Sequence, residues 1–233
     1  MSTSERIATS PRKIALAAGL LYLLTFVSIP TLALYSSIHL PNYILGTGPD
    51  TSVFIGNLLE IIVALAGIGT AVVLYPVLKK QNEMLALGLV TSRVLEAGTM
   101  FTGVAFLLSI VTLRQTGAGT EAMVTSHALV ALYDRIFLIG QSFMPAVNDM
   151  LLGLLLYQSR LVPRGLSLIG IVGAVLLVSG DIAVLFGLID QHAISTGLAA
   201  IPVALFEFSL GVWLVVKGFN SSALIFETGK SEQ

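Results

Sequence analysis

Eight charged residues lie inside apolar stretches of the chain, where a charge is costly and therefore informative. They are Glu60, Arg93, Glu96, Asp134, Arg135, Asp149, Asp181 and Glu207. An unpaired charge at the centre of a membrane-spanning helix costs about 2.5–3.5 kcal/mol on insertion scales, so such side chains normally face the protein interior. Because six of the eight are acids, two arginines cannot neutralise them all, and some carboxyl groups are expected to be protonated. We expect these residues to converge on the axis of a helical bundle and to pair there.

Their positions along the apolar stretches divide these residues into two layers. The inner layer consists of Arg93, Glu96, Asp149 and Glu207, of which the two glutamates fall near mid-depth. The outer layer consists of Glu60, Asp134, Arg135 and Asp181, with His127 at its mouth. Each layer sets one arginine against three carboxylates.

Two features of the inner layer suggest chemistry. Arg93 and Glu96 are three residues apart, one helical turn, so they can form an ion pair within their own helix. That pair could counter the charge of a ligand, or it could be a structural clamp that only fixes packing.

Glu207 lies between Phe206 and Phe208 without a basic residue in its own segment. Either Arg93 reaches it or it stays protonated, as in a proton-exchanging site, and the alternative is a hydrogen bond to a neighbouring helix.

Polar residues recur every seven positions along the fourth apolar segment. The stripe consists of His127, Asp134, Gln141 and Asn148, and Asp149 follows directly. Pro145 interrupts it, because a proline leaves the carbonyl group of Gln141 without its helical hydrogen bond and invites a kink. The stripe indicates either the wall of a wet cavity or hydrogen bonding between helices. Near the outer interface, Asp134–Arg135 is predicted to form a partly solvated pair.

These patterns define the candidate site residues. The candidate proton donors and acceptors are Glu96, Glu207 and Asp149, and the candidate ligand-binding residues are Arg93, Glu96, Asp149, Glu207, Asn148, Gln141, Glu60, Asp134 and Asp181. The three histidines, His39, His127 and His192, are scattered and there is no cysteine, so neither a metal or haem site nor any other cofactor is predicted.

The composition identifies the elements that must position these residues. Of 233 residues only 12 are basic and 13 acidic, while 55% are hydrophobic, and the mean hydropathy is +0.93. These values exclude a disordered chain, a coiled coil and an ordinary soluble enzyme. Six segments are long enough to cross the bilayer. They run over about 14–35, 53–78, 84–113, 129–157, 166–188 and 197–216.

The sequence therefore predicts an all-α, polytopic transmembrane helical bundle of six spans. Nine basic residues fall on one side of it: Arg6, Arg12, Lys13, Lys79, Lys80, Arg160, Arg164, Lys217 and Lys230. The other side has Arg114 alone. Because positive residues stay inside, both termini are predicted to be cytoplasmic, with an N-terminal tail over 1–13, a membrane domain over 14–217 and a C-terminal tail over 218–233.

The expected partners can be inferred from the same numbers. A net charge of −1 gives no electrostatic footprint for nucleic acid. The expected partners are the lipid bilayer and a small-molecule or lipid-like ligand, and the oligomeric state is left open.

Several ordered motifs resemble a known family. They are Arg12–Lys13 before Gly19–Leu20–Leu21–Tyr22, then Arg93–Val94–Leu95–Glu96–Ala97, the basic loop Tyr157–Arg164, and Phe206–Trp213 leading to Lys217–Gly218. In order and spacing they resemble a bacterial six-helix integral-membrane family, domain of unknown function 4386, over about Arg12 to Phe219. The resemblance implies six helices and the bacterial inner, or plasma, membrane, and it supplies no reaction or ligand.

Three functions remain open from the sequence. The first is a polar pocket with proton-exchanging carboxyl groups that binds or transports a small or amphipathic ligand, with Arg93 countering the charge of Glu96 and the ligand. The second is an intramembrane enzyme of the cyclase or isomerase type, using paired carboxyl groups as acid and base on a lipid or isoprenoid. The third, a non-catalytic sensor, immunity or assembly protein, predicts fully paired charges and no cavity.

Overall fold

The computed structural model describes residues 10–221 and Ala223. Most of both predicted tails, including Arg6 and Lys230, lies outside the described residues. Within them all regular structure is helical, which confirms the all-α prediction. The helices are α1 (Pro11–Thr25), α2 (Thr31–Leu34), α3 (Thr51–Leu78), α4 (Glu83–Gln115), α5 (Met123–Phe137), α6 (Met144–Ser159), α7 (Arg164–Leu185) and α8 (Ile194–Val216).

Six helical stretches of the described residues are long and apolar enough to cross a membrane, as predicted. They run over Pro11–Ser28, Thr51–Leu78, Glu83–Gln115, Gly119–Ser159, Arg164–Leu185 and Ile194–Val216. Helices suit this environment because every backbone hydrogen bond is satisfied within the segment. The chain is therefore a multi-pass membrane protein. An even number of spans places both ends of the membrane domain on the same side, which the basic residues predict to be cytoplasmic.

The spans are arranged as a closed ring. Along the chain, α1 packs on α3, α3 on α4, α4 on α5 and α6, α6 on α7, and α7 on α8, and α8 returns to α1. Short connections make consecutive spans antiparallel neighbours. The turn before α4, for example, ends at Asn82, whose side chain accepts a hydrogen bond from the N–H of Leu85 at 3.0 Å and caps the helix. Side chains facing inwards from different spans can meet at the centre of this ring.

The first span, predicted over about 14–35, is not one continuous helix. Helix α1 ends at Thr25, a 3₁₀ turn follows over Phe26–Ser28, and the short α2 begins only after Pro30. Pro30 has no N–H to donate and its ring clashes with the preceding turn. The hydroxyl of Thr25 donates to the carbonyl of Tyr22 at 2.7 Å, and that of Ser28 donates to the carbonyl of Thr25 at 3.0 Å. The regular helix of the first span is therefore interrupted between Thr25 and Thr31.

The fourth span contains the predicted irregularity near Pro145, in a different form. A π-helical segment, Leu138–Phe143, separates α5 from α6, and Pro145 lies in the first turn of α6. A π-helical turn holds an extra residue, so the proline needs no sharp kink. The segment carries Gln141 and Ser142, both of which contact side chains of other spans.

Glycines allow α7 and α8 to approach closely. A Cβ atom at Gly170 would lie 2.7 Å from the ring of Phe206, and one at Gly173 would lie 3.0 Å from the backbone nitrogen of Val203. Because Phe206 is fully buried, its ring cannot move aside. These contacts set the height and rotation of α8, and with them the position of the neighbouring Glu207.

Arg114 holds the first outer loop against the end of α4. Its guanidinium forms an ion pair with Asp50, lies 4.5 Å from the centre of the Tyr43 ring and donates to the carbonyls of Gly46 and Gly48 at 2.9 and 2.6 Å. Tyr43 donates to Asp50 at 2.6 Å. Burial and this bond to Asp50 raise the pKa of Tyr43 to about 12, so it remains a donor at neutral pH.

Replacing Arg114 with glutamine is expected to lower the free energy of unfolding by about 2–3 kcal/mol, because charge-assisted hydrogen bonds are lost.

The stability of this contact should also depend on pH. Burial acts to raise the pKa of Asp50, but hydrogen bonds from Tyr43 and Gln115 and the charge of Arg114 lower that pKa overall. The stabilisation is therefore complete above the unfolded-state pKa and is lost as the pH falls through the lower, folded-state value. Thermal unfolding in detergent from pH 7 to pH 3 measures it, and Asp50→Asn should remove this part of the acid sensitivity. Equal acid sensitivity in Asp50→Asn and the native protein would contradict the prediction.

Candidate functional site

Arg93 lies at the centre of a buried ion-pair cluster. Its Nη1 donates to Glu96 Oε2 at 3.0 Å, and its Nη2 donates to Glu207 Oε1 at 2.6 Å. Arg93 is only 3% exposed. Of the two states that the sequence left open for Glu207, pairing with Arg93 is the one observed. The guanidinium thus joins the third and sixth spans across the ring.

Two neighbouring residues lie against the Arg93 side chain. A Cβ atom at Gly67 would be in ordinary van der Waals contact with Arg93 Cδ, at 3.9 Å. On the other side the guanidinium lies 5.7 Å from the centre of the Tyr22 ring, an arrangement that is electrostatically favourable for a cation. Tyr22 is fully buried. Sequence reasoning did not select Tyr22 as a site residue, although a tyrosine far from either membrane interface was a usable signal.

The fourth span contributes an amide and an acid to the cluster. Asn148 Nδ2 donates to Glu96 Oε2 at 2.8 Å, and the hydroxyl of Ser92 donates to Asn148 Oδ1. The next residue, Asp149, is fully buried, and neither of its carboxyl oxygens has a hydrogen-bond partner among the described residues. The predicted inner layer is therefore joined through Arg93, except for Asp149, which makes no direct bond to it.

The predicted outer layer does not form one cluster. Glu60 accepts from the Tyr133 hydroxyl at 2.9 Å and from Gln141 Nε2 at 3.5 Å. Asp181 accepts from the Ser142 hydroxyl at 2.6 Å. Hydroxyl and amide donors on the fourth span bond to one oxygen of each acid, while Glu60 Oε2 and Asp181 Oδ2 are buried without a hydrogen-bond partner among the described residues.

Asp134 pairs with His39, with 3.0 Å between Oδ1 and the histidine Nε2, and not with Arg135. Within the part of the chain that the structure describes, Arg135 takes part in no ion pair. Consecutive residues on a helix point in different directions, which explains why the predicted pair does not form. The expectation that the eight charges pair with one another is therefore wrong for this layer, although Glu60 and Asp181 are buried as predicted.

A cavity of about 240 Å³ adjoins the ion-pair cluster. Its polar lining consists of Thr25, Ser28, Arg93, Glu96, Gln141, Ser142 and Glu207. Its apolar lining includes Phe26, Val63, Ala97, Met100, Leu177 and Val203, contributed by five spans. The break in the first span and the π-helical segment both reach the cavity, so the two irregular stretches of backbone form part of its wall.

The polar stripe of the fourth span serves both roles that the sequence allowed. Gln141 lines the cavity, and Asn148 hydrogen-bonds to the third span. Asp134 faces His39, while His127 Nε2 lies 2.9 Å from the carbonyl of Pro41. The π-helical segment turns the later members of the stripe relative to the earlier ones, so they do not lie along one face.

Comparison with known proteins identifies one family. The family model described as Domain of unknown function (DUF4386) matches residues 17–218. Neither a curated protein nor a solved structure matches the chain significantly. The match extends from α1 to the end of α8 and includes every residue of the ion-pair cluster.

Proposed function

The chain belongs to this family, and we propose that it is a protein of the bacterial inner membrane that binds a small amphipathic ligand in its internal cavity and exchanges a proton there. The observation that carries the proposal is the cavity itself, which ends on Arg93, Glu96 and Glu207. Buried ion pairs that only hold helices together have no need of adjoining empty space, since interiors are packed to near crystal density.

The size and lining of the cavity indicate the kind of ligand. Pockets for drug-sized molecules occupy about 300–1,000 Å³, so 240 Å³ suits a smaller compound. Aliphatic and aromatic walls favour an apolar body, while the charged end requires a polar group. The lining carries one arginine and two glutamates, a net charge of −1 when all are ionised. A cationic group such as a protonated amine complements that charge.

Access to the cavity lies between the broken first span and α8. Ile29 and Ala204 both line the cavity and both belong to the exposed surface. The ring of Phe26 contacts that of Phe208 edge-to-face, with 5.4 Å between centres, and holds the 3₁₀ turn against α8. An opening on the side of the bundle suits an amphipathic molecule that arrives through the lipid.

Proton exchange is expected because the carboxyl groups around Arg93 outnumber the cations. Arg93 binds two carboxylates, which leaves Asp149 without a cationic partner in direct contact. A buried carboxyl group without a hydrogen-bond donor is cheapest in its neutral form. Glu207 lines the cavity, and its side chain is 14% exposed, so a ligand can reach it. Binding of a cation beside Glu207 would displace a proton from this group of acids.

A steric variant tests binding in the cavity. In detergent, short alkylammonium ions from butyl to octyl are expected to raise the melting temperature of the native protein, whereas alkyl alcohols of equal length should have less effect. Ala204→Phe, which fills the opening, should abolish this shift. Leu205→Phe is the matched control, because Leu205 is exposed on the same helix and does not line the cavity.

The proposal fails on either of two results. One is an equal response of Ala204→Phe and Leu205→Phe to alkylammonium ions, which would place binding elsewhere. The other is the absence of any shift with the whole alkylammonium series in the native protein.

A further inference from the structure

Three outer segments bring two histidines and an aspartate together. His39 follows the first span, Asp134 lies on α5, and His192 lies in the connection between α7 and α8. One ligand atom from each of the three lies within 4.8 Å of the other two. This cluster is separate from the cavity, because none of its residues lines it.

The contact between His39 and Asp134 requires a proton or a metal ion between the two side chains. His39 Nδ1 lies 3.0 Å from the backbone carbonyl oxygen of Tyr35. A carbonyl oxygen can only accept, so Nδ1 must carry a hydrogen. In a neutral imidazole Nε2 then holds a lone pair, yet it lies 3.0 Å from Asp134 Oδ1. Two lone pairs repel at that distance, so either a second proton or a metal ion must lie between the two atoms.

His192 is placed to complete a coordination shell. Its Nδ1 lies 3.8 Å from Asp190 Oδ1, and its backbone N–H donates to the same oxygen at 2.7 Å. The ring contact is beyond hydrogen-bond distance, so Asp190 holds the backbone at His192 and leaves the exposed ring free to turn towards a metal ion. Gln191 Nε2 donates to the Asp134 carbonyl at 2.8 Å and holds this connection against α5.

Little movement is needed to bring the three ligand atoms to metal-binding distances. Metal–nitrogen and metal–oxygen bonds of about 2.0–2.1 Å in a tetrahedral site place neighbouring ligand atoms about 3.4 Å apart. His39 Nε2 and Asp134 Oδ1 are already at 3.0 Å. The side chain of His192 is 64% exposed, so its ring can turn towards them without displacing packed neighbours.

We propose that His39, Asp134 and His192 bind a divalent transition-metal ion of the zinc type on the outer face of the protein. Two imidazoles and one carboxylate suit Zn²⁺, Ni²⁺ or Cu²⁺, whereas Ca²⁺ and Mg²⁺ prefer oxygen ligands throughout. Three protein ligands leave a fourth position for water. The bound ion would tie together the segment after the first span, α5 and the loop between α7 and α8.

Zinc titration of the full chain in detergent, purified with a tag that contains no histidine, tests the proposal. Calorimetry is expected to give one Zn²⁺ per chain at pH 7.5, and Co²⁺ should produce visible ligand-field absorption. His192→Ala and His39→Ala should each weaken zinc binding by at least about tenfold. His127→Ala is the matched control, because this histidine lies on the same outer side and contacts only the Pro41 carbonyl among the described hydrogen-bond partners.

Because the His192 side chain is exposed, His192→Ala is expected to fold like the native protein, and its result is therefore decisive. Unchanged zinc affinity in His192→Ala, or an equal loss in His127→Ala, would overturn the proposal. Competition by millimolar Ca²⁺ would also overturn it. Failure of the native protein to bind zinc would overturn it as well, and would identify the contact between His39 and Asp134 as an imidazolium–carboxylate pair.

Discussion

Replacing Arg93 with methionine is expected to lower the free energy of unfolding by about 3–5 kcal/mol, which is the largest stability effect in the chain. The substitution keeps an unbranched, flexible side chain but leaves Glu96 and Glu207 buried without their counter-charge. Thermal unfolding in detergent measures the loss. Arg135→Met is the matched control, since Arg135 makes no ion pair among the described residues, and its effect should stay below about 1 kcal/mol.

A second substitution shows whether the loss comes from charge. Combining Arg93→Met with Glu207→Gln removes one of the stranded carboxylates, so the double variant should regain part of the lost stability. A double-mutant cycle should give a coupling of about 1–3 kcal/mol, as expected for residues in one network. Equal melting temperatures for Arg93→Met and Arg135→Met would show that the ion-pair cluster contributes nothing to stability.

Replacing Asp149 with asparagine is expected to abolish proton exchange while leaving the fold nearly intact. Asparagine is close in shape to the neutral acid but has no carboxyl proton to release, whereas Glu207 already pairs with Arg93. Because a bound cation competes with one proton, the affinity of the native protein for octylammonium should rise with pH, by up to about tenfold per unit while the acid titrates. Asp149→Asn should bind with an affinity that does not change with pH.

The measurement is a binding titration at several pH values, together with proton release in weak buffer. Glu121→Gln is the control, because Glu121 is an exposed acid in the outer loop before α5 that does not line the cavity. Undiminished proton release by Asp149→Asn would remove Asp149 from the proposed exchange. Ala204→Phe tests binding separately, so a failure of proton exchange can be told apart from a failure of ligand binding.

Local spacing was enough to predict some of the cluster. Arg93 and Glu96 lie one turn apart on one helix, so their pairing needed no knowledge of other spans. For Glu207 the sequence left two alternatives, pairing with Arg93 or a protonated carboxyl group, because Arg93 is 114 residues away in the chain. Pro30 indicated an interruption of the first span, but the length of the apolar run could not show that α1 already ends at Thr25.

The pairing of side chains on the outer side of the bundle could not be predicted from the sequence. Residues at similar predicted depth were expected to pair, yet Glu60 and Asp181 find hydroxyl donors, and Asp134 finds His39. Depth can be counted along a segment, but pairing also depends on the direction in which each side chain points. Each extra residue in a helix rotates the remainder of that helix by about 100°, so a single π-helical segment changes every later contact.

The sequence by itself determined the number of spans, the predicted side of the membrane for each loop, and the presence of costly charges within the bilayer. Those properties depend on the transfer of each segment from water to lipid, which acts on segments one at a time. Only the tertiary structure decided that Arg93 joins Glu96 to Glu207 beside a cavity and that His39 and His192 meet at Asp134. These contacts depend on the rotation of several helices about their axes at once, and that rotation is set by packing between spans.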